Sequence, residues 1–150
     1  MTRSFRLRAV FTPLALLLAL CLLPARCLAE YLVADVSREQ AKELGIRVRT
    51  HPSANQDLQV EVEFRAAGRM KEFRWADLEL AHDGKRLVTA ALQPRKALPD
   101  QPEDTTRLEF TIFPAALPDA SVTLFVADQA LGGTGYRLKM KDLAASTGRR

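Results

Sequence analysis

The chain contains two histidines, and their surroundings decide whether hydrolytic or metal chemistry is plausible. His51 and His82 belong to no H-x-x-x-H pair and to no cluster with the spacing of zinc ligands. No G-x-S-x-G elbow supplies a nucleophilic serine, and both cysteines, Cys21 and Cys27, fall in a predicted leader. We therefore predict no catalytic residue and no metal site. A small hydrolase using His51 is a remote alternative, and His82 is expected to be a solvated hairpin residue.

Two segments have the composition of ligand-binding loops without the required spacing. The glycine-rich segment 132–135 lacks the G-x-x-x-x-G-K-[ST] pattern and precedes a strand rather than a helix, so we expect a flexible turn there. Asp100, Glu103 and Asp104 have no EF-hand spacing, and we expect a solvated acidic loop rather than a calcium site. The sequence accordingly predicts no cofactor.

Phe73, Arg74 and Trp75 are the candidate binding residues. If both rings shared a solvent face, about 7 Å apart along a strand, they would form a platform for a sugar or for a partner's side chains. A carbohydrate-binding module is therefore the alternative function. We expect instead that the rings pack inside the domain, which leaves recognition to loops or strand edges.

The first 29 residues have the three parts of a secretory signal peptide. Three arginines precede an apolar run from Val10 to Leu23, which at fourteen residues is shorter than the about 20 that a membrane-spanning helix needs. Small residues then lead to a cleavage site after Ala29, or alternatively after Ala25. We expect an exported protein, periplasmic or extracellular, with no permanent membrane anchor.

Removing the leader changes the charge of the chain. It takes away four of the 22 basic residues and no acidic one, so eighteen basic and eighteen acidic residues remain. A neutral domain lacks the basic surface of a nucleic-acid-binding protein. It also enters an oxidising compartment without a cysteine to form a disulfide. We predict one domain over 30–145 and a disordered tail over 146–150.

Local signals predict a short helix followed by strands. Ser37 and Gln40 have the spacing of a capping box, which starts a helix over 38–44 that Gly45 ends. Asp83 and Gly84 predict a type I′ hairpin. Between 73 and 80 the apolar residues move from odd-numbered to even-numbered positions, so we expect a bulge or a sheet-switching bend at 76–77. Alternating apolar residues predict strands over 46–51, 58–66, 73–80, 86–92, 106–113, 121–127 and 136–142.

Seven short strands after one N-terminal helix predict an all-β fold. We expect a two-sheet antiparallel sandwich of immunoglobulin or fibronectin type III style, with an up-and-down barrel as the alternative. Arg137, Lys139 and Lys141 would then protect the edge formed by the last strand. The leading functional hypothesis is a non-enzymatic binding module whose partner is a protein or a cell-envelope component.

Overall fold

The computed structural model describes residues 30–53, 55–95, 97–129 and 132–144. The predicted leader and the predicted tail lie outside these residues. The described chain is mostly β-structure, with two short helices, α1 (Arg38–Glu43) and α2 (Met140–Leu143), and two 3₁₀ turns, Gly68–Met70 and Pro114–Asp119. The strands are β1 (Glu30–Asp35), β2 (Arg47–Pro52), β3 (Leu58–Arg65), β4 (Phe73–His82), β5 (Lys85–Leu92), β6 (Thr105–Ile112), β7 (Ala120–Gln129) and β8 (Gly132–Lys139).

The strands form two sheets, as an all-β sandwich requires. One sheet has five strands in the order β1-β8-β7-β4-β5, and the other has three in the order β2-β3-β6. The described chain has eight strands rather than the seven predicted, because β1 was missed. The expectation of a wholly antiparallel fold is also wrong, since β1 pairs with β8 in parallel. A parallel partner comes from far along the chain, and no local turn signal announces it.

The local signals of the sequence are confirmed. The Ser37 hydroxyl accepts a hydrogen bond from the Gln40 backbone N–H at 3.2 Å, and the Gln40 side chain accepts one from the Ser37 N–H at 2.9 Å. This capping box starts α1, and Gly45 at φ 69° follows its end. Asp83 and Gly84 have φ of 49° and 73°, the positive values that a type I′ hairpin needs.

The core lies between the two sheets, whose facing surfaces we call the inner faces. Fully buried side chains come mainly from the middle strands of both sheets: Val60, Val62, Phe64, Leu108, Val122, Leu124, Val126 and Leu138. Three strands cannot cover five, so both edges of the larger sheet extend beyond the smaller one. Leu32 on β1 is therefore 68% exposed and Val88 on β5 is 48% exposed, although both share a face with core residues of neighbouring strands.

A bulge in β4 separates Phe73 from Trp75. The pairing of β4 with β7 shifts between these two residues, so Arg74 is the extra residue. The bulge lies earlier than the predicted 76–77, because the change of phase has already occurred when Ala76 enters the core. Phe73 consequently faces the inner side, with its ring centroid 4.9 Å from that of Phe64. Trp75 faces the opposite side, which we call the outer face.

The glycine-rich segment is a strand rather than the flexible turn predicted for it. Residues 132–135 form the first half of β8 and pair with both β1 and β7. A Cβ atom at Gly133 would collide with the carbonyl oxygen of Val126, and one at Gly135 would lie 2.9 Å from Val33 Cγ2. The glycines are present because neighbouring strands and side chains occupy the space that their own side chains would need.

The cationic residues of β8 do not protect a sheet edge. β8 lies between β1 and β7, so the predicted edge role of Arg137 and Lys139 is wrong. Their charges instead face Asp35 on β1, with Lys139 Nζ 2.6 Å and Arg137 Nη1 3.7 Å from its carboxylate oxygens. These cations lower the pKa of Asp35, chiefly through the Lys139 hydrogen bond. Lys141 belongs to α2 and lies outside the sheet.

Within the part of the chain that the structure describes, no helix has both the length and the apolar character to cross a lipid bilayer.

Replacement of two β8 glycines by alanine, one at a time, tests why the segment is glycine-rich. Gly133→Ala should cost at least about 2–3 kcal/mol of unfolding free energy or prevent folding, because the new methyl group meets backbone that cannot move aside. Gly135→Ala should cost about 1 kcal/mol, since it meets only side chains. Urea unfolding of both variants measures the difference. Equal, small losses would show that the close packing around Gly133 is unimportant.

Candidate functional site

Three aromatic rings meet on the outer face of the five-stranded sheet. Trp75 stacks on Phe125, with ring centroids 4.7 Å apart and planes 18° from parallel. Tyr31 packs edge-on against both, at 4.9 Å from Trp75 and 5.4 Å from Phe125. We call Tyr31, Trp75 and Phe125 the aromatic cluster. Each of these edge and stacked geometries adds about 0.5–1.5 kcal/mol beyond the burial of apolar surface.

The glycines of β8 make the aromatic cluster possible. Gly133 and Gly135 lie between the strands that carry Tyr31 and Phe125 and have no side chain on the outer face. The Tyr31 ring comes within 2.9 Å of the place where a Gly133 Cβ would stand, and the Phe125 ring within 3.3 Å of that of Gly135. The two strands that flank β8, β1 and β7, are therefore in contact across it through the rings of Tyr31 and Phe125.

The structure separates the three predicted binding residues. Trp75 is 40% exposed, so the expectation that it packs into the interior is wrong. Phe73 does pack toward the interior, against Phe64. Arg74 is exposed at the bulge, where its guanidinium forms an ion pair with Glu72 at 3.0 Å. The two rings do not share a face, and only Trp75 remains available as an aromatic contact residue.

Two members of the aromatic cluster were missed in the sequence. Phe125 does carry a signal, because it falls between Leu124 and Val126 and so belongs on the face opposite the core side chains. Tyr31 is the second residue after the predicted leader, in a segment without a recognised strand pattern. Its proximity to Trp75 depends on the parallel pairing of β1 with β8.

The strand β5 is a second candidate surface. Seven of its eight residues are exposed, and only Leu92 is buried. Leu87 is 59% and Val88 48% exposed. β5 pairs with β4 on one side, and no strand of the described chain pairs with it on the other. Its register to β4 shifts once, near Leu87, and is continuous from Val88 to Leu92.

The outer face of the three-stranded sheet is charged. The pairing of the strands places its residues in two rows, Arg47–Glu63–Arg107 and Arg49–Glu61–Glu109. Glu61 thus faces another carboxylate, Glu109, across the sheet, which is unfavourable when both are ionised. Arg95, which bridges to Arg107, adds a further cation 3.1 Å from Glu109.

Glu63 is buried at the centre of this charged face. Its carboxylate accepts a hydrogen bond from the Gln101 amide at 2.5 Å and lies 3.3 Å from Arg49 Nη1. Burial opposes the ionisation of Glu63, but hydrogen bonds from Glu61 and Gln101 and the Arg49 charge together lower its pKa. Burial, followed by the hydrogen bond and repulsion from Glu63, raises the pKa of Glu61. As pH falls, Glu61 therefore takes up a proton before Glu63 does.

Neither histidine belongs to a catalytic arrangement in the described residues. His51 is exposed and faces Gln59 across β2 and β3. His82 is also exposed, and its Nδ1 lies 2.8 Å from Asp119. Asp104 of the predicted acidic loop forms an ion pair with Arg65 at 2.8 Å. Across the ranges that the structure describes, no three histidine, cysteine or acidic side chains are grouped to hold a metal ion.

No protein-family model matches this chain, and no curated protein matches it closely enough to indicate a relationship. The geometry of these surfaces is therefore the basis for a functional proposal.

The stability of two variants tests whether Phe73 and Trp75 lie on opposite faces of the sheet. Trp75→Ala should lower the unfolding free energy by about 1–2 kcal/mol, because it loses ring contacts but not a core position. Phe73→Ala should cost more, near the lower end of the about 3–5 kcal/mol of a core phenylalanine, because it leaves a cavity next to Phe64. Urea unfolding provides both values. A larger loss for Trp75→Ala would contradict the assigned faces.

The pH dependence of the stability of two glutamine variants tests the opposite pKa shifts of Glu61 and Glu63. Because the pKa of Glu61 is raised, its contribution to stability is present at low pH and is lost as pH rises through that pKa. Because the pKa of Glu63 is lowered, its contribution is present at neutral pH and is lost as pH falls. Glu61→Gln should therefore stabilise the protein at pH 7, by about 0.2–1 kcal/mol.

Glu63→Gln should have the opposite effect at pH 7, a loss of about 1–3 kcal/mol, because Arg49 loses its ionised partner. The loss should shrink toward acidic pH. Chemical unfolding at several pH values between about 4 and 7 gives both curves. Identical curves for the two variants would contradict the opposite pKa shifts of Glu61 and Glu63.

Proposed function

We propose that this chain is a non-enzymatic, exported module that binds another protein, or a cell-envelope component that offers an extended polypeptide, along β5. The observation that carries the proposal is the exposure of β5 along seven of its eight residues. An unpaired strand edge presents backbone N–H and C=O groups in the spacing that a further strand needs. The partner would extend the five-stranded sheet to six.

The chemistry of β5 supports this use of the edge. Soluble proteins commonly block an exposed edge with charges, proline or bulges. Here the charges, Lys85 and Arg86, and the register shift lie at the start of the strand. The stretch from Val88 to Leu92 is regular and has no charged residue. Its apolar side chains, Val88 above all, would contact alternate side chains of an added strand.

We further propose that the sandwich is of the fibronectin type III style within the immunoglobulin-like group. Counted from β2, the first, second and fifth of seven strands share one sheet, and the third, sixth and seventh share the other. This division is that of immunoglobulin-like sandwiches. The fourth strand, β5, pairs with the third instead of joining the smaller sheet, and β1 is an addition at the far edge.

Export rests on the arginines and the apolar run of the first 29 residues. A described domain that uses no disulfide and is held together by two apolar inner faces is compatible with this destination.

The second candidate is a carbohydrate-binding module built on the aromatic cluster. Trp75 favours this candidate because its ring is partly exposed while Phe125 and Tyr31 hold it in place. An exposed indole with a fixed orientation can stack on a sugar ring. Phe73 has no part in this site. Trp75 is the only tryptophan in the chain, so its fluorescence reports directly on any such binding.

Site-specific photo-crosslinking in the cells that make the protein tests the leading proposal. A benzophenone side chain replacing Ala91 should give one discrete protein adduct, because Ala91 is exposed in the middle of the proposed interface. Val88→Lys should weaken the adduct at least about tenfold, since an edge lysine opposes strand addition. The same crosslinker at Lys141, exposed in α2, is the control and should give none.

Equal adducts from positions 91 and 141, or no adduct at either, would contradict binding at β5. An adduct of twice the mass of the chain would indicate that β5 binds a second copy of this protein, which would contradict the proposal of a different partner. A change of Trp75 fluorescence with soluble β-glucan, unaffected by Val88→Lys, would favour the carbohydrate-binding alternative.

A further inference from the structure

A cleft opens on the outer face of the three-stranded sheet, between the turn that joins α1 to β2 and the loop that precedes β6. Its volume is about 720 Å³, within the about 300–1,000 Å³ of small-molecule sites. We infer that the cleft binds a small polyanion through its carboxylate or phosphate groups. Its charged lining consists of Lys42, Arg47, Arg49, Arg65, Glu63 and Asp100.

Two arginines of the cleft are held in place by carboxylates. Arg65 contacts both oxygens of Asp104 through Nε, at 3.0 and 3.1 Å, and through Nη2 at 2.8 Å. Arg49 Nη1 lies 3.3 Å from the buried Glu63. A guanidinium has five N–H donors, and these contacts leave several unused. The side chains of Arg49 and Arg65 are 49% and 64% exposed, so a ligand can reach the unused donors.

Two further cations of the cleft form no close ion pair, although Arg47 lies opposite Glu63 on the neighbouring strand. Lys42 and Arg47 are exposed, and neither forms an ion pair with any described acidic residue. Of the two acidic residues in the lining, Glu63 is 5% exposed and already bound by Gln101 and Arg49. Asp100 is the one exposed carboxylate among the lining residues. The accessible groups are therefore predominantly cationic, although the exported chain as a whole has a formal charge of zero.

The excess of accessible cations in the cleft indicates an anionic ligand. Planar guanidinium groups bind carboxylate and phosphate oxygens through paired hydrogen bonds, and held arginines lose little side-chain entropy on binding. Four cations around one cleft favour a ligand with at least two anionic groups over a monoanion. The lining offers no exposed aromatic side chain on which a neutral sugar could stack. The site is separate from β5, so it does not depend on the proposed partner.

Isothermal titration calorimetry of the purified protein with citrate and with pyrophosphate tests the inference. In 150 mM NaCl at least one probe should bind with a dissociation constant below 1 mM, and acetate should bind at least tenfold more weakly. Binding of citrate alone assigns the carboxylate class, and binding of pyrophosphate alone assigns the phosphate class. If neither probe binds with a dissociation constant below 1 mM, the inference is overturned.

Three variants separate the cleft from general charge effects. Arg47→Gln and Lys42→Gln should each weaken binding of the probe at least fivefold, and both should fold normally because these side chains are exposed and form no close ion pair with a described residue. Lys141→Gln removes an exposed cation from α2, outside the cleft, and should leave affinity within twofold. An equal loss in all three variants would show that the ion responds to net charge and not to this site.

Discussion

The packing of a three-stranded sheet on a five-stranded one determines what this protein shows to its surroundings. The apolar residues of β3 and β6 cover the middle of the larger sheet, where Val122, Leu124 and Val126 of β7 are almost completely buried. The smaller sheet is too narrow to reach β1 and β5 as well. Both outer strands keep apolar side chains, represented by Leu32 and Val88, on a surface that the domain itself leaves open.

Features that depend on neighbouring residues were predictable from the sequence. The capping box of Ser37 and Gln40 and the Asp83–Gly84 hairpin are decided within a few residues, and both form as the sequence indicates. Alternation of apolar residues located seven of the eight strands of the described chain. It did not locate β1, because the strand is short, follows the apolar leader, and is held by residues about a hundred positions away.

The candidate surfaces were harder to predict because side chains from distant segments form them. Trp75 is partly covered by Tyr31 and Phe125, and the space for this comes from glycines whose sequence resembles a turn. Glu63 has the sequence position of a solvated residue on an alternating strand. It is buried only because Gln101, from a proline-rich loop, folds back onto it. Alternation of apolar and polar residues indicates which face of the sheet a side chain occupies, but it does not indicate whether a loop covers that face.

The parallel pairing of β1 and β8 has a consequence for the order in which the chain can fold. Among the described strands β1 is synthesised first, and its only partner among them, β8, is synthesised last. The five-stranded sheet therefore cannot be completed before β8 has been synthesised, and contacts of such long sequence separation form slowly. Until that pairing forms, the backbone groups along the facing edges of β1 and β8 are unpaired and can form strand contacts with other chains.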